Sequence, residues 1–125
     1  MGKKYLIDTN TLIDAQTKNM PQNGLRFLES VIDEDFTVSF ITYIEFLGYK
    51  GATKDSESFI ALADMIEINM PIIDACIALR KAQRIKLPDA IIAATALTHN
   101  LIIISRNISD FNNIPELRVI DPHSL

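Results

Sequence analysis

Four acidic residues sit where a chain could put them to chemical use. Asp8 follows the apolar run KKYLI, and Glu45 lies within SFITYIEFLGY. Asp89 opens the apolar segment LPDAIIAATALTHN, and Asp110 stands near the end of SRNISDF. Two like charges about 4 Å apart cost on the order of 4 kcal/mol at an effective dielectric near 20. If the four converge, either some hold protons or something positive lies among them. Arg106 is the only Lys or Arg inside LIDTNTLID, SFITYIEFLGY, LPDAIIAATALTHN and SRNISDF, so a divalent cation is the economical answer. An all-oxygen ligand set, without His or Cys, suits Mg²⁺ or Mn²⁺ rather than Zn²⁺ or Cu²⁺. Carboxylates that hold such ions promote phosphodiester hydrolysis, because the metal lowers the pKa of bound water, orients it and stabilises the leaving oxygen. No nucleophilic side chain is needed. The single cysteine, Cys76, sits in the helical-looking stretch IIDACIALRKA and reads as a small buried hydrophobe.

Each acid also has a purely local explanation. Asp8 could N-cap a helix beginning at TNTLID. Thr42 and Glu45 have capping-box spacing, and Asn107 and Asp110 repeat it with Asp in the last place. Asp89 in a first helical turn would meet the helix dipole favourably, for about 0.3–1 kcal/mol. What favours chemistry over four separate caps is the set of elements that must carry these residues.

KKYLI (residues 3–7) and LIIIS (101–105) read as strands, and FTVSF (36–40) is β-branched and aromatic enough to be a third. IEIN (66–69) and RVI (118–120) are weaker strand candidates. Helical spacing runs over residues 24–33, 42–49, 55–64 and 72–85. Residues 88–99 are apolar on almost every side, which predicts the most buried helix, with Pro88 in its first turn. Strands alternating with helices predict an α/β fold: a three-layer α/β/α sandwich around a mainly parallel sheet of four to five strands. In such sheets the working crevice lies beyond the carboxyl ends of the strands. Asp8, Glu45 and Asp110 all follow strands. Asp89 opens the helix that feeds LIIIS and runs antiparallel to it, so it belongs at the same edge.

The 125 residues suit one domain, residues 1–125, with one core. No apolar run approaches the roughly 18 residues that span a bilayer, and the basic start precedes too short an apolar stretch for a signal peptide. A cytoplasmic protein that does not enter a membrane is expected. The net charge of −4 argues against gripping nucleic acid by overall charge, though not against binding a short stretch of it locally. Spare apolar surface on residues 72–85 predicts self-association, as a homodimer. Other folds with an aspartate at a strand end fit less well. A response-regulator receiver needs an acidic pair after its first strand and a Lys after a late one. A haloacid-dehalogenase-like phosphatase needs Asp-x-Asp, where this chain has Asp8-Thr9-Asn10.

Taken in order, LIDTNTLID, SFITYIEFLGY and LPDAIIAATALTHNLIIISRNISDF resemble the four motifs of the PIN domain nucleases, and within them the toxins of VapBC-type toxin–antitoxin pairs. The resemblance spans nearly the whole chain. It implies a Mg²⁺- or Mn²⁺-dependent endoribonuclease. Asp8, Asp89 and Asp110 would hold metal, with Glu45 as a further ligand or a water-orienting base. Asn107 competes with Asp110 for the fourth place. Thr9, Asn10, Thr42 and Ser105 would be hydrogen-bond partners that fix the carboxylates. Arg106 would contact substrate phosphate or remain a solvated surface arginine. The implied partners are an RNA substrate and a small antitoxin protein that docks in a groove and delivers a basic residue to the acidic site. The rival from another class is a PIN-like domain kept for protein interaction, with little or no catalysis.

Overall fold

The structure is a computed structural model that describes residues 4–125. Residue 3, with which the first strand was expected to begin, lies outside the described residues. Five strands alternate with six α-helices. They are β1 (Tyr5–Ile7), α1 (Thr9–Gln16), α2 (Gln22–Asp35), β2 (Thr37–Ser39), α3 (Phe40–Gly48), α4 (Lys54–Ile60), β3 (Asp64–Ile66), α5 (Met70–Ala82), α6 (Leu87–His99), β4 (Ile102–Ile104) and β5 (Val119–Ile120). Short 3₁₀ turns follow at Ile108–Phe111 and Pro122–Ser124. None of the described helices is long and apolar enough to cross a membrane.

All strand pairs are parallel. One ladder runs β1-β4-β5, with Leu6 opposite Ile103 and Ile7 opposite Ile104, and the other joins β2 to β3. β1 also lies against β2, so the two ladders adjoin. Successive strand side chains point to opposite faces, and here both faces are buried. Leu6 and Ile103 join the core under α5 and α6, together with Cys76. Ile7 and Ile104 join a second core with Leu12, Leu28, Phe46 and Ile60 from α1 to α4. Helices thus cover both sides of a parallel sheet, the expected three layers.

Most of the buried surface of α6 is small: Ala90, Ala93, Ala94 and Ala96 are all fully buried, with Ile92 beside them. Small side chains let the helix approach the sheet closely. Asn100 ends it in the left-handed conformation (φ 56°), and Leu101 N–H donates to Ala96 O at 2.8 Å. The chain then enters β4 at once, which returns the N-terminus of α6 to the carboxyl end of β4.

Local chemistry moves several boundaries from their predicted places. Ser39 accepts from Ile41 N–H at 3.2 Å and caps α3, so β2 stops at Ser39 and Phe40 is already helical. Thr42 is therefore not a cap; it is fully buried inside α3, and the expected Thr42–Glu45 capping box does not form. A real capping box, Thr53 with Ser56, starts α4. That helix ends at Ile60 because residues 64–66 pair with β2. The third strand lies earlier than the expected 66–69, since Asn69 turns to cap α5 by accepting from Ile72 N–H. α5 ends at Ala82, three residues short of the predicted end, where Gln83 adopts an extended backbone.

Candidate active site

The acids gather at the carboxyl edge of the sheet, each placed by a different element. Asp8 leaves β1 and caps α1; its Oδ1 accepts from Thr9 N–H at 2.8 Å. Its Oδ2 accepts from the Ser105 hydroxyl at 2.8 Å and from Asn10 Nδ2 at 3.1 Å. Ser105, the residue after β4, is fully buried, and its oxygen also receives Asn10 Nδ2 (3.2 Å) and Asn107 N–H (3.1 Å). Asn10 Oδ1 accepts from Arg106 N–H at 3.1 Å. One closed set of hydrogen bonds therefore ties β1, the start of α1 and the loop after β4 together around a single carboxylate. Asp8 is both a cap and a member of the acidic group; the two explanations do not compete.

Glu45 comes from the middle of α3. Thr9 donates its hydroxyl to Glu45 Oε1 at 2.7 Å and lies 3.3 Å from the Thr42 hydroxyl. Thr9 and Thr42 thus brace this carboxylate as Ser105 and Asn10 brace Asp8. Asp89 sits in the first turn of α6, and among the described residues no hydrogen bond to its side chain is found. A cleft of about 580 Å³ brings Asp8, Glu45, Asp89 and Asn107 together. Asp110, in the 3₁₀ turn, faces a neighbouring cleft that shares Asp89 and carries Arg84 and Lys86.

Electrostatics tie these groups into one unit. Burial pushes the Asp8 carboxyl above its usual value, against the pull of the Ser105, Thr9 and Asn10 hydrogen bonds, and the Glu45 charge raises it further. Asp89 is pushed up to about 6, first by burial, then by the charges of Asp110 and Asp8; Lys86 opposes this and Glu45 adds to it. The charges of Asp110, Asp8 and Glu45 thus all act on Asp89. The negative charge is not balanced from within, because the Arg106 guanidinium turns away to Asp14 (Nη1 to Oδ1, 3.1 Å).

Among the described residues, no three Asp, Glu, His or Cys side chains close around a common point as a metal cage. Mg²⁺ commonly keeps several waters and takes only one or two protein carboxylates. An all-oxygen cluster with uncompensated charge fits a hard cation held in that way.

Several contributors had no signal in the local sequence. Asp14, 5% exposed, holds Arg106 and also His123 Nε2 (2.9 Å), from the last 3₁₀ turn. Gly24 lets that turn approach α2, since a Cβ there would lie 2.0 Å from Pro122 O. Lys86 is the cation that acts on Asp89, and the apolar cleft wall of Ile13, Ile44 and Tyr49 is formed by residues outside the catalytic spacing.

In a parallel α/β sheet the crevice beyond the carboxyl ends of the strands is the usual place for a ligand, and here it is lined by carboxylates. The PIN domain family model matches residues 5–117, and the chain belongs to that family. Its backbone is similar to a chain of a toxin–antitoxin complex from Klebsiella pneumoniae, with 32% identity, 95% of this chain and 98% of that one covered, and a TM-score of 0.74. It is also similar to a chain of a DNA-bound VapBC from Salmonella typhimurium (23% identity, coverage 98% and 99%, TM-score 0.78). VapBC-1 from nontypeable Haemophilus influenzae is a further neighbour (23% identity, coverage 94% and 97%, TM-score 0.77). No curated protein matches the sequence.

Proposed function

We propose that this protein is a divalent-metal-dependent endoribonuclease, acting as the cytoplasmic toxin of a toxin–antitoxin pair. The observation that carries this reading is the gathering of Asp8, Glu45 and Asp89 in one cleft, with Asp110 in the adjoining cleft that shares Asp89. Membership of the PIN domain family and the likeness to toxin–antitoxin complexes support it. On this reading Asp8, Asp89 and Asp110 would hold Mg²⁺ or Mn²⁺, with Asn107 available in the cleft that contains Asp8 and Asp89.

A bound cation of this kind supplies Lewis acidity and a water acidic enough to attack phosphorus. The chain's own part is positional. Ser105, Asn10 and Thr9 N–H keep Asp8 in one orientation. Thr9 and Thr42 keep Glu45 directed at the cleft, where it binds the cation or orients the attacking water. Arg106 is held by Asp14 with its side chain half exposed, and it would meet a phosphate only by leaving that pair. A basic residue from a small antitoxin would neutralise the same acids and block the cleft. A homodimer through the apolar face of α5 completes the assembly; Ile77 and Met70 are exposed there.

The deciding experiment is cleavage of RNA with and without added Mg²⁺ or Mn²⁺, comparing wild type with Asp89→Asn. Metal-dependent cleavage by wild type alone is expected; equal cleavage by both proteins overturns the assignment. The second reading, an interaction module with little catalysis, draws on the absence of a closed three-carboxylate cage among the described residues. It predicts no stabilisation by either metal.

A further inference from the structure

The cleft that holds Asp8, Glu45 and Asp89 has a second, chemically different end. Ile44, Gly48 and Tyr49 form it; Ile44 directly precedes Glu45, and Gly48 and Tyr49 lie about one helical turn after it. Ile44 is 59% exposed, so its apolar side chain is open to a partner in the cleft. At Gly48, which lines the same cleft, a Cβ would meet no atom within 4 Å beyond its chain neighbours and its own helix backbone, so a side chain there would project into open space.

Tyr49 is braced from two sides. Its ring lies 6.4 Å from the ring of the fully buried Phe46, at 35°. On the other side, a Cβ on Gly51 would lie 2.5 Å from Tyr49 Cε2 and 2.9 Å from its Cζ and Oη. Among the described residues no glycine has positive φ. Gly51 is therefore explained by the ring it makes room for rather than by backbone strain. The result is a fixed aromatic wall beside open space, next to a group of carboxylates. Beyond Asp89, the adjoining cleft carries Arg84 and Lys86. Charge and shape thus change along one path: cations, then carboxylates, then an apolar wall.

Resting on the ribonuclease reading, we propose that Ile44, Gly48 and Tyr49 form a subsite for one unpaired nucleobase next to the scissile phosphate. An RNA strand lies with phosphate toward Arg84 and Lys86, its cut bond at the carboxylates, and one splayed base over Gly48 against Tyr49. Only an unstacked base presents a face to such a wall, which makes single-stranded RNA the substrate form. Stacking on a tyrosine tolerates every base, so the subsite selects strand flexibility more than base identity.

The test measures kcat and KM for a short single-stranded RNA with Mn²⁺, using wild type, Tyr49→Ala, Tyr49→Phe and Gly48→Leu. Loss of one base stack corresponds to roughly 5- to 100-fold in affinity. Tyr49→Ala and Gly48→Leu are expected to raise KM by that factor with a much smaller change in kcat, and Tyr49→Phe to retain most of the affinity. An abasic nucleotide beside the cut should reproduce the loss in wild type and add nothing in Tyr49→Ala. Gly48→Leu projects into open space, so unchanged thermal melting separates subsite loss from misfolding. Unchanged KM in both variants, with cleavage intact, overturns the subsite and leaves the ribonuclease reading standing. Weakened binding of a protein partner with unchanged KM for RNA assigns the wall to that partner and overturns it equally. If wild type cleaves no RNA, the ribonuclease reading falls and the subsite with it.

Discussion

Asp8 and Asp89 stand at the same edge of the same sheet, yet their surroundings are nearly opposite. Asp8 is 5% exposed and accepts three hydrogen bonds, from Thr9 N–H, Asn10 and Ser105. Asp89 is half-buried and surrounded by like charge, which Lys86 opposes. The two residues divide the needs of an acidic site. One carboxylate is positioned by donors and cannot reorient. The other carries the excess charge that a cation would relieve. A metal should therefore change the energetics of Asp89 most, while the architecture depends most on Asp8.

This contrast can be broken or sharpened by experiment. The largest expected effect is on activity: Asp8→Asn and Asp89→Asn should each lower metal-dependent RNA cleavage by roughly 10²- to 10⁴-fold, the range for loss of an essential acid or base. A next, smaller effect is metal-linked stability. Mn²⁺ at a hundred times its dissociation constant should stabilise wild type by about 2.7 kcal/mol in thermal or urea unfolding, and Asp89→Asn should lose most of that gain. An unchanged gain would place the cation elsewhere.

In chelator the two substitutions should part company. Asp8→Asn puts an amide N–H₂ among donors and should destabilise by about 1–3 kcal/mol. Asp89→Asn removes a repelled charge and should stabilise at neutral pH by about 1 kcal/mol, after allowance for solvent screening of a half-exposed group. If both destabilise alike, the contrast between the two environments is wrong.

The smallest effect is the pH dependence of metal-free stability. Burial, and then the charges of Asp110 and Asp8, push Asp89 up to about 6 in the folded state, from an ordinary 3.8. Between those values the folded state binds a proton that the unfolded state does not. The Asp89 contribution to stability therefore rises as pH falls from about 7 toward 4, and it levels off below the unfolded value. Burial of Asp8 acts in the same direction. Urea unfolding in chelator should show this rise in wild type and a weaker one in Asp89→Asn.

Asp8 and Asp89 were legible in the sequence because one lies directly after an apolar run and the other at the head of one; Glu45, inside a helix, and Asp110, in a turn, had only their spacing. An abrupt polar residue after KKYLI or before AIIAATAL marks the edge of the core, whatever the tertiary details. Short-range capping was harder to read. Ser39 and Thr42 are both good cap residues within one helical turn, and burial of the second decided between them. Arg106 was visible as a cation near the acids, but its partner Asp14 lies 92 positions away in the chain. Tyr49 gave no sign at all, because a tyrosine after a helix has no spacing that marks a wall. Its place depends on Gly51 and Phe46 together.

The alternation of apolar runs and helical stripes was enough, by itself, to determine a parallel sheet buried on both faces and to bring four carboxylates to one edge. Period-two and period-3.6 patterns are local, and burial follows from them directly. The tertiary structure alone decided how those carboxylates differ. Whether an aspartate meets a buried serine or another aspartate depends on contacts between residues far apart in the chain. Desolvation and Coulomb interactions depend on those distances, and no short stretch of sequence contains them.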